Sequence, residues 1–300
     1  MTRSTMFQDQ EKRDLIVRWC ERFRAKLRVE TSETTVATSF GETHALVAGR
    51  RDAPPLVVLH GALASSAHVL GELGPLVETR RVFALDVIGQ SAWSADRRVD
   101  LRDDSYGRWL VESCDALGLG QFDLFGVSWG GFVALRAARF APNRLKHLVL
   151  MVPAGLVANG FWAGFRDSGW PLILYRLLGS RKRLERFASS IFTDMDSDWV
   201  DYFEDALRCY RFDMRIPPLA GPGDLDALHC PTLVFGAEHD SQFPGLALTA
   251  RAKELIPQAE VELLEGSKHS PSFSDAFRAR TAARVERFLA SGDATEMAAE

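Results

Sequence analysis

Cysteine is scarce in this chain and carries no pattern. Cys20, Cys114, Cys209 and Cys230 form no C-x-x-C pair and show no zinc-ligand spacing. That excludes a disulfide framework and a thiolate metal site, and it points to a reduced, cytoplasmic protein. The first ten residues, MTRSTMFQDQ, lack the apolar core of a secretory signal. No stretch approaches the roughly eighteen uninterrupted apolar residues of a bilayer span, so no stable membrane insertion is expected. No G-x-G-x-x-G follows a strand-like run, which leaves no phosphate cradle and no cofactor to expect, and no ligand cluster suggests a metal. Excess charge is also lacking. A formal net charge of −4 and a pI near 6.0 give no general attraction to nucleic acid or to an anionic membrane.

What is present is apolar and periodic. Three hundred residues at 46% apolar content can bury a large core as one domain, or as one domain with an insertion. Residues 1–30 read as an N-terminal unit whose amphipathic helix spans 11–28. Leu15, Trp19, Phe23 and Leu27 recur every four positions there, and the arginines and lysines take the other faces. Such a helix can dock on the protein body or lie on a membrane surface. Strand-like runs follow at Thr34–Ser39, His44–Val47, Leu56–Leu59, Val82–Leu85, Phe122–Phe125, Leu148–Val152, Thr232–Gly236 and Val261–Leu264.

From the third run onward apolar runs alternate with helical stretches, which predicts an α/β fold: a mostly parallel sheet covered by helices on both faces. The core is expected over 31–153 and 229–290. Between them, 154–228 breaks the alternation and is rich in aromatics at helical spacing, among them Phe161, Trp162, Phe165, Trp170, Tyr175, Phe187, Phe192, Trp199, Tyr202, Phe203, Tyr210 and Phe212. It reads as a helical lid inserted between strands, its aromatics filling the interface with the body and, at a few positions, a substrate pocket. Residues 291–300 read as a frayed tail.

The sharpest local signal is Gly126-Val127-Ser128-Trp129-Gly130, which joins the strand Phe122–Phe125 to a helix running to Phe140. Glycines flanking so tight a turn let strand and helix approach closely and push a serine hydroxyl outward. Three other strand ends add chemistry. Pro55–Leu59 opens onto His60-Gly61-Ala62-Leu63, a small-residue loop suited to an oxyanion hole. Thr232–Gly236 opens onto Ala237-Glu238-His239-Asp240, and Val261–Leu264 leads to Gly266-Ser267-Lys268-His269.

Serine, acid and histidine in this order, each just past a strand, resemble the α/β-hydrolase superfamily, specifically its lidded serine carboxylesterases, over roughly residues 30–290. The resemblance implies Ser128 as nucleophile, His269 as base and Asp240 as acid, with Glu238 left to a salt bridge or cap. It implies the backbone N–H groups of Ala62 and Trp129 as oxyanion donors, with the Trp129 side chain open to a second role in elbow packing or pocket lining. His60 and Asp86 then serve loop architecture. Where many relatives read Asp-x-Pro-Gly-x-Gly-x-Ser, this chain reads Asp86-Val87-Ile88-Gly89-Gln90-Ser91-Ala92-Trp93-Ser94, so no particular substrate carries over. Serine at the nucleophile position argues against haloalkane dehalogenases and epoxide hydrolases, which need a carboxylate there. The expected activity is hydrolysis of a small or medium apolar carboxylic ester through an acyl-enzyme. C–C bond hydrolysis, lactone hydrolysis and non-catalytic ligand binding are the alternatives. The expected partner is a small-molecule ester, with homo-oligomerisation left open.

Overall fold

Short runs in which both alternating sets of side chains are apolar belong in a sheet covered on both faces, because successive strand residues point to opposite sides. The computed structural model describes residues 5–158, 160, 169–211 and 215–297. Among these, eight strands form one sheet: β1 (Thr31–Thr38), β2 (Gly41–Ala48), β3 (Pro55–Leu59), β4 (Arg81–Leu85), β5 (Phe122–Val127), β6 (Leu145–Met151), β7 (Thr232–Ala237) and β8 (Glu260–Leu264). Their spatial order is β1-β2-β4-β3-β5-β6-β7-β8. β2 runs antiparallel to both β1 and β4, and every other neighbouring pair is parallel. The α-helices of the described residues are α1 (Gln10–Arg24), α2 (Ser66–Leu73), α3 (Ser105–Ala116), α4 (Trp129–Phe140), α5 (Trp170–Leu178), α6 (Arg181–Ala188), α7 (Ser197–Cys209), α8 (Gly245–Leu255) and α9 (Asp275–Met297).

The strand alternation divides the core in two. Val57, Leu59, Leu124 and Leu150 pack with α3, α4 and α8 on one face of the sheet. Leu56, Val58, Phe125 and Val149 pack with α2 and α9 on the other. A buried charge network pins α9 to the sheet: Arg80 donates to Asp123 at 2.9 Å and to Glu286 at 3.0 Å, and Asp123 also meets His147 Nδ1 at 2.7 Å. With both charges of the Arg80–Asp123 pair compensated, neither is left alone in a low-dielectric core.

Two boundaries differ from the sequence reading. α1 ends at Arg24 and not at residue 28, because the N–H groups of Lys26 and Leu27 turn back onto Phe23 and Arg24 carbonyls three residues earlier, tightening and closing the last turn. Its fully buried pair is Ile16 and Cys20, flanked by Leu15, Trp19 and Phe23. This stripe faces the protein: Trp19 Nε1 donates to Asp205 at 2.8 Å and Arg22 pairs with Asp198 at 2.7 Å, both on α7. α9 continues to Met297, through most of the expected tail. Between β6 and β7 the described residues form α5, α6 and α7 and add no strand to the sheet. Phe161, Trp162, Phe165 and Phe212 of the aromatic-rich stretch lie outside the described residues. No helix of the described residues is long and apolar enough to cross a membrane.

Candidate active site

Ser128 stands between β5 and α4 with φ 50° and ψ −110°, a conformation that a side chain bearing a Cβ adopts only under constraint. The constraint comes from both sides of the turn. Its N–H donates to the Met151 carbonyl at 2.9 Å, and its carbonyl accepts from Phe132 and Ala154. Glycine at 126 is required by close approach, since a Cβ there would lie 2.5 Å from the Gly130 carbonyl oxygen. At Gly130 a Cβ would sit 2.3 Å from the Leu59 carbonyl oxygen, so the elbow packs directly on the end of β3. Sequence pattern and tertiary contact thus agree on why the hydroxyl is driven outward.

The loops after β7 and β8 bring two more groups to that hydroxyl. Ser128 Oγ lies 2.9 Å from His269 Nε2, and His269 Nδ1 lies 2.8 Å from Asp240 Oδ2. Asp240 is buried, and its second oxygen accepts the backbone N–H groups of Gln242 at 2.7 Å and Phe243 at 3.0 Å. A carboxylate so placed assigns the His269 proton to Nδ1 and leaves Nε2 free to accept from the serine. Glu238 turns away, accepting the Gly266 N–H at 2.8 Å. Its position two residues earlier puts its side chain on the loop surface.

The loop after β3 supplies the opposite wall. The backbone N–H groups of Ala62 and Trp129 have no hydrogen-bond partner among the described residues, and Gly61 approaches Ser128 so closely that a Cβ would stand 3.5 Å from the serine Cβ. Leu63, with φ 57°, is a second residue held in the left-handed region beside the site. Its carbonyl accepts the Tyr202 hydroxyl of α7. His60 is fully buried, meeting the Gly61 carbonyl through Nδ1 at 2.7 Å and accepting the Val87 N–H through Nε2 at 2.9 Å. Burial, opposed by the Asp86 charge, lowers its pKa and keeps it neutral. Asp86 accepts from the Ser66 N–H, the Ser66 and Ser91 hydroxyls and His44 Nδ1, all within 3.0 Å. Burial alone would push its carboxyl up, but the hydrogen bonds from His44 and the Ser66 hydroxyl hold it below the usual range. Both residues therefore stiffen the loop. His147 belongs to the Arg80 network, His239 lies on the loop surface and His229 is exposed.

Above Ser128 lies a cavity of about 600 Å³, roofed by Leu172, Phe187, Phe192, Trp199, Phe203 and Leu207 of the segment between β6 and β7. Trp129 serves both roles left open for it, lining this cavity while packing edge-on against Tyr106 and Phe132. Two lining residues escaped the sequence reading, His68 and Glu72 of α2. Their spacing of four residues on the helix after the His60–Leu63 loop was the one signal for them, and it is shared by countless core helices. Burial drives the His68 pKa down to about 3, and burial pushes the Glu72 carboxyl up to about 7. Among the described residues no cluster of histidine, cysteine or carboxylate side chains could hold a metal ion. The arrangement can deprotonate a hydroxyl, hold a developing oxyanion and enclose an apolar substituent.

A family model of the alpha/beta hydrolase fold matches residues 54–183. The 2-hydroxymuconate semialdehyde hydrolase of Pseudomonas putida is 30% identical over 234 residues, covering 72% of this chain and 79% of that protein. The uncharacterized carboxylesterase nap of Bacillus subtilis (strain 168) is 26% identical over 246 residues, covering 78% of this chain and 79% of that protein. Among solved structures, a naproxen esterase from Bacillus subtilis superposes with a TM-score of 0.81 at 22% identity, covering 94% of this chain and 99% of that chain.

Proposed function

Because the chain belongs to the α/β-hydrolase family, we propose that it is a serine-dependent carboxylic ester hydrolase acting on small or medium esters with an apolar acyl or aryl part. The observation that carries this reading is the unbroken relay from Ser128 Oγ through His269 to buried Asp240, set under an apolar cavity. The carboxylesterase relative supports ester chemistry in particular. A serine hydroxyl is a weak nucleophile at neutral pH, and the relay removes that obstacle. Ser128 Oγ attacks the ester carbonyl carbon as its proton passes to His269 Nε2, and Asp240 stabilises the imidazolium that forms. The carbonyl oxygen, now an oxyanion, takes the two unpartnered N–H groups of Ala62 and Trp129. Collapse breaks the ester C–O bond, the alcohol leaves with the proton from His269, and the acyl group stays on Ser128. Water, deprotonated by the same nitrogen, then releases the carboxylic acid and restores the serine.

The segment containing α5, α6 and α7 acts as a lid in this reading, excluding water and orienting the substituent through its aromatic and leucine side chains. A small-molecule substrate and residence in the cytoplasm belong to the same reading, the latter supported by four cysteines that are all free. Fluorophosphonate labelling with peptide mapping, alongside turnover of short p-nitrophenyl esters, tests the proposal. Modification at Ser128 with loss of ester turnover is expected, and turnover that survives full labelling of Ser128 overturns it. The similarity to a semialdehyde hydrolase gives C–C bond hydrolysis standing as a second reading. A vinylogous diketone turned over in preference to every ester of the panel would select it.

A further inference from the structure

A second cavity, of about 710 Å³, opens beside the first between the end of α1, α2, α7 and α9. The two share His68, Glu72 and Trp199 in their walls, so these three side chains form the partition between them. The partition is chemically unlike the apolar roof over Ser128. Glu72 is half-buried and has no hydrogen bond or ion pair among the described residues. His68 is buried, its Nδ1 lies 2.7 Å from the Ser65 hydroxyl, and its Nε2 has no partner. A buried polar atom without a partner is destabilising, and the unpartnered His68 Nε2 in the cavity wall beside the Glu72 carboxyl calls for an occupant that satisfies it.

The charges around the second cavity define that occupant. Glu72, Glu78, Asp196, Asp198 and Asp275 line it against Lys26, Arg28 and Arg278. Two of the cations are already taken: Lys26 pairs with Asp198, and Arg28 with Asp275 at 3.0 Å. Arg278 stands 3.8 Å from Asp275 and faces Glu72 only at longer range. Glu72 is therefore a carboxyl group without a matched cation. Aromatic faces complete the setting, with Trp199 stacked on Phe273 at a centroid distance of 5.4 Å and His68 packed between Phe23 and Trp199 at 4.1 and 4.5 Å. Carboxylate plus aromatic rings is the chemistry that receives organic cations.

We propose that Glu72, His68 and Trp199 form an ammonium-binding subsite at the neck between the two cavities, selecting esters whose acyl or alcohol part carries a protonated amine. The inference rests on the esterase reading for its link to turnover. An alkylammonium group donates to the Glu72 carboxylate and to His68 Nε2, and its alkyl chain runs back toward Ser128 through the apolar cavity. His68 stays neutral under burial, and with its proton on Nδ1 donated to the Ser65 hydroxyl, Nε2 accepts from the ammonium. No anionic substituent gains from these contacts.

Titration calorimetry with hexylammonium and with hexanol tests binding without reference to catalysis. At pH 8 hexylammonium binds the wild-type protein more tightly than hexanol. Lowering the pH to 6 weakens the ammonium alone, because Glu72, raised by burial to about 7, takes up a proton there, while His68, pushed down by burial to about 3, stays neutral. Glu72→Gln weakens hexylammonium by about tenfold, roughly the strength of one partly buried ion pair, and leaves hexanol within a factor of about two. Equal binding of both ligands by wild type, with no pH dependence, overturns the proposal even if the variant fails to fold. In chain-matched p-nitrophenyl esters, Glu72→Gln lowers the ratio of kcat/KM for the ω-amino ester to that for the ω-methyl ester by about tenfold. Glu72-dependent ammonium binding without turnover of any ester would sink the esterase reading and leave the subsite standing. Ester turnover with no loss of ω-amino preference in the variant would sink the subsite alone.

Discussion

Replacing Asp240 by asparagine tests the proposed acid through a hydrogen-bond rearrangement that can be worked out atom by atom. The carboxylate now accepts three N–H groups: His269 Nδ1 on one oxygen, and the backbone of Gln242 and Phe243 on the other. An asparagine amide has one acceptor oxygen and one donor nitrogen. Placing the NH₂ against Gln242 and Phe243 sets donor against two donors, whereas turning the oxygen toward them keeps two hydrogen bonds of about 1 kcal/mol each. The amide then presents its NH₂ to His269 Nδ1, which must become an acceptor, and the ring proton moves to Nε2. Nε2–H cannot take the Ser128 proton. In serine proteases the corresponding tautomer error lowers kcat about 10⁴-fold, or about 5.5 kcal/mol at 1.36 kcal/mol per decade, and a loss of that order is expected here. Glu238→Gln keeps an acceptor for the Gly266 N–H and should stay within about twofold of wild type. The assay is kcat/KM for p-nitrophenyl acetate, with thermal melting to confirm that both variants fold. An Asp240→Asn protein retaining more than about a tenth of the activity, or a Glu238→Gln protein losing more than it, would refute the assignment.

Ser128→Ala should abolish ester turnover with a melting temperature near wild type, and a folded variant keeping a few per cent of the rate would exclude the acyl-enzyme route. Asp86→Ala orphans the donors of Ser66, Ser91 and His44 at a fully buried point and should destabilise by about 3–5 kcal/mol, read by urea denaturation. Gly126→Ala forces a Cβ to within 2.5 Å of the Gly130 carbonyl oxygen and should cost about 3 kcal/mol or more, seen as insoluble expression or a depressed melting temperature. Burial holds the folded Glu72 pKa near 7, above its ordinary 4.5. Its protonated form therefore favours the fold, and that contribution is full below about pH 4.5 and lost as pH rises through about 7. Glu72→Gln should accordingly gain roughly 1–3 kcal/mol relative to wild type between pH 6 and 8, and a pH-independent difference in urea midpoints would contradict the buried, unpaired carboxyl.

How far the sequence reached depended on whether a feature was local. The inner strands β3 to β7 were legible as apolar runs because burial on both faces demands apolar residues at nearly every position, whereas β1, Thr31–Thr38, is a polar edge strand with no fully buried residue. The three strand-end groups were legible for the same reason, since Ser128, Asp240 and His269 each follow a run that ends in a short turn. The limits of α1 and α9 were less so, because a helix end is set by a few weak hydrogen bonds and by neighbours distant in sequence. Between Glu238 and Asp240 the resemblance favoured Asp240, and the turn after β7 gives the physical reason, sending the Glu238 carboxyl to the Gly266 N–H and the Asp240 carboxyl to His269.

By itself, then, the sequence determined the layered sheet, the strained serine turn and the order of the reactive groups, all of which follow from short-range pattern and backbone sterics. Only the tertiary structure decided which side chains face the serine. Phe187, Phe192, Trp199 and Phe203 share an amphipathic, aromatic composition with residues that merely pack, and their direction depends on how α6 and α7 settle over the sheet. The partition of His68, Glu72 and Trp199 is less local still. It joins α2 to a helix more than a hundred residues later, and burial by that contact is what leaves a histidine neutral and a carboxyl unpaired, a state that no pattern along the chain encodes.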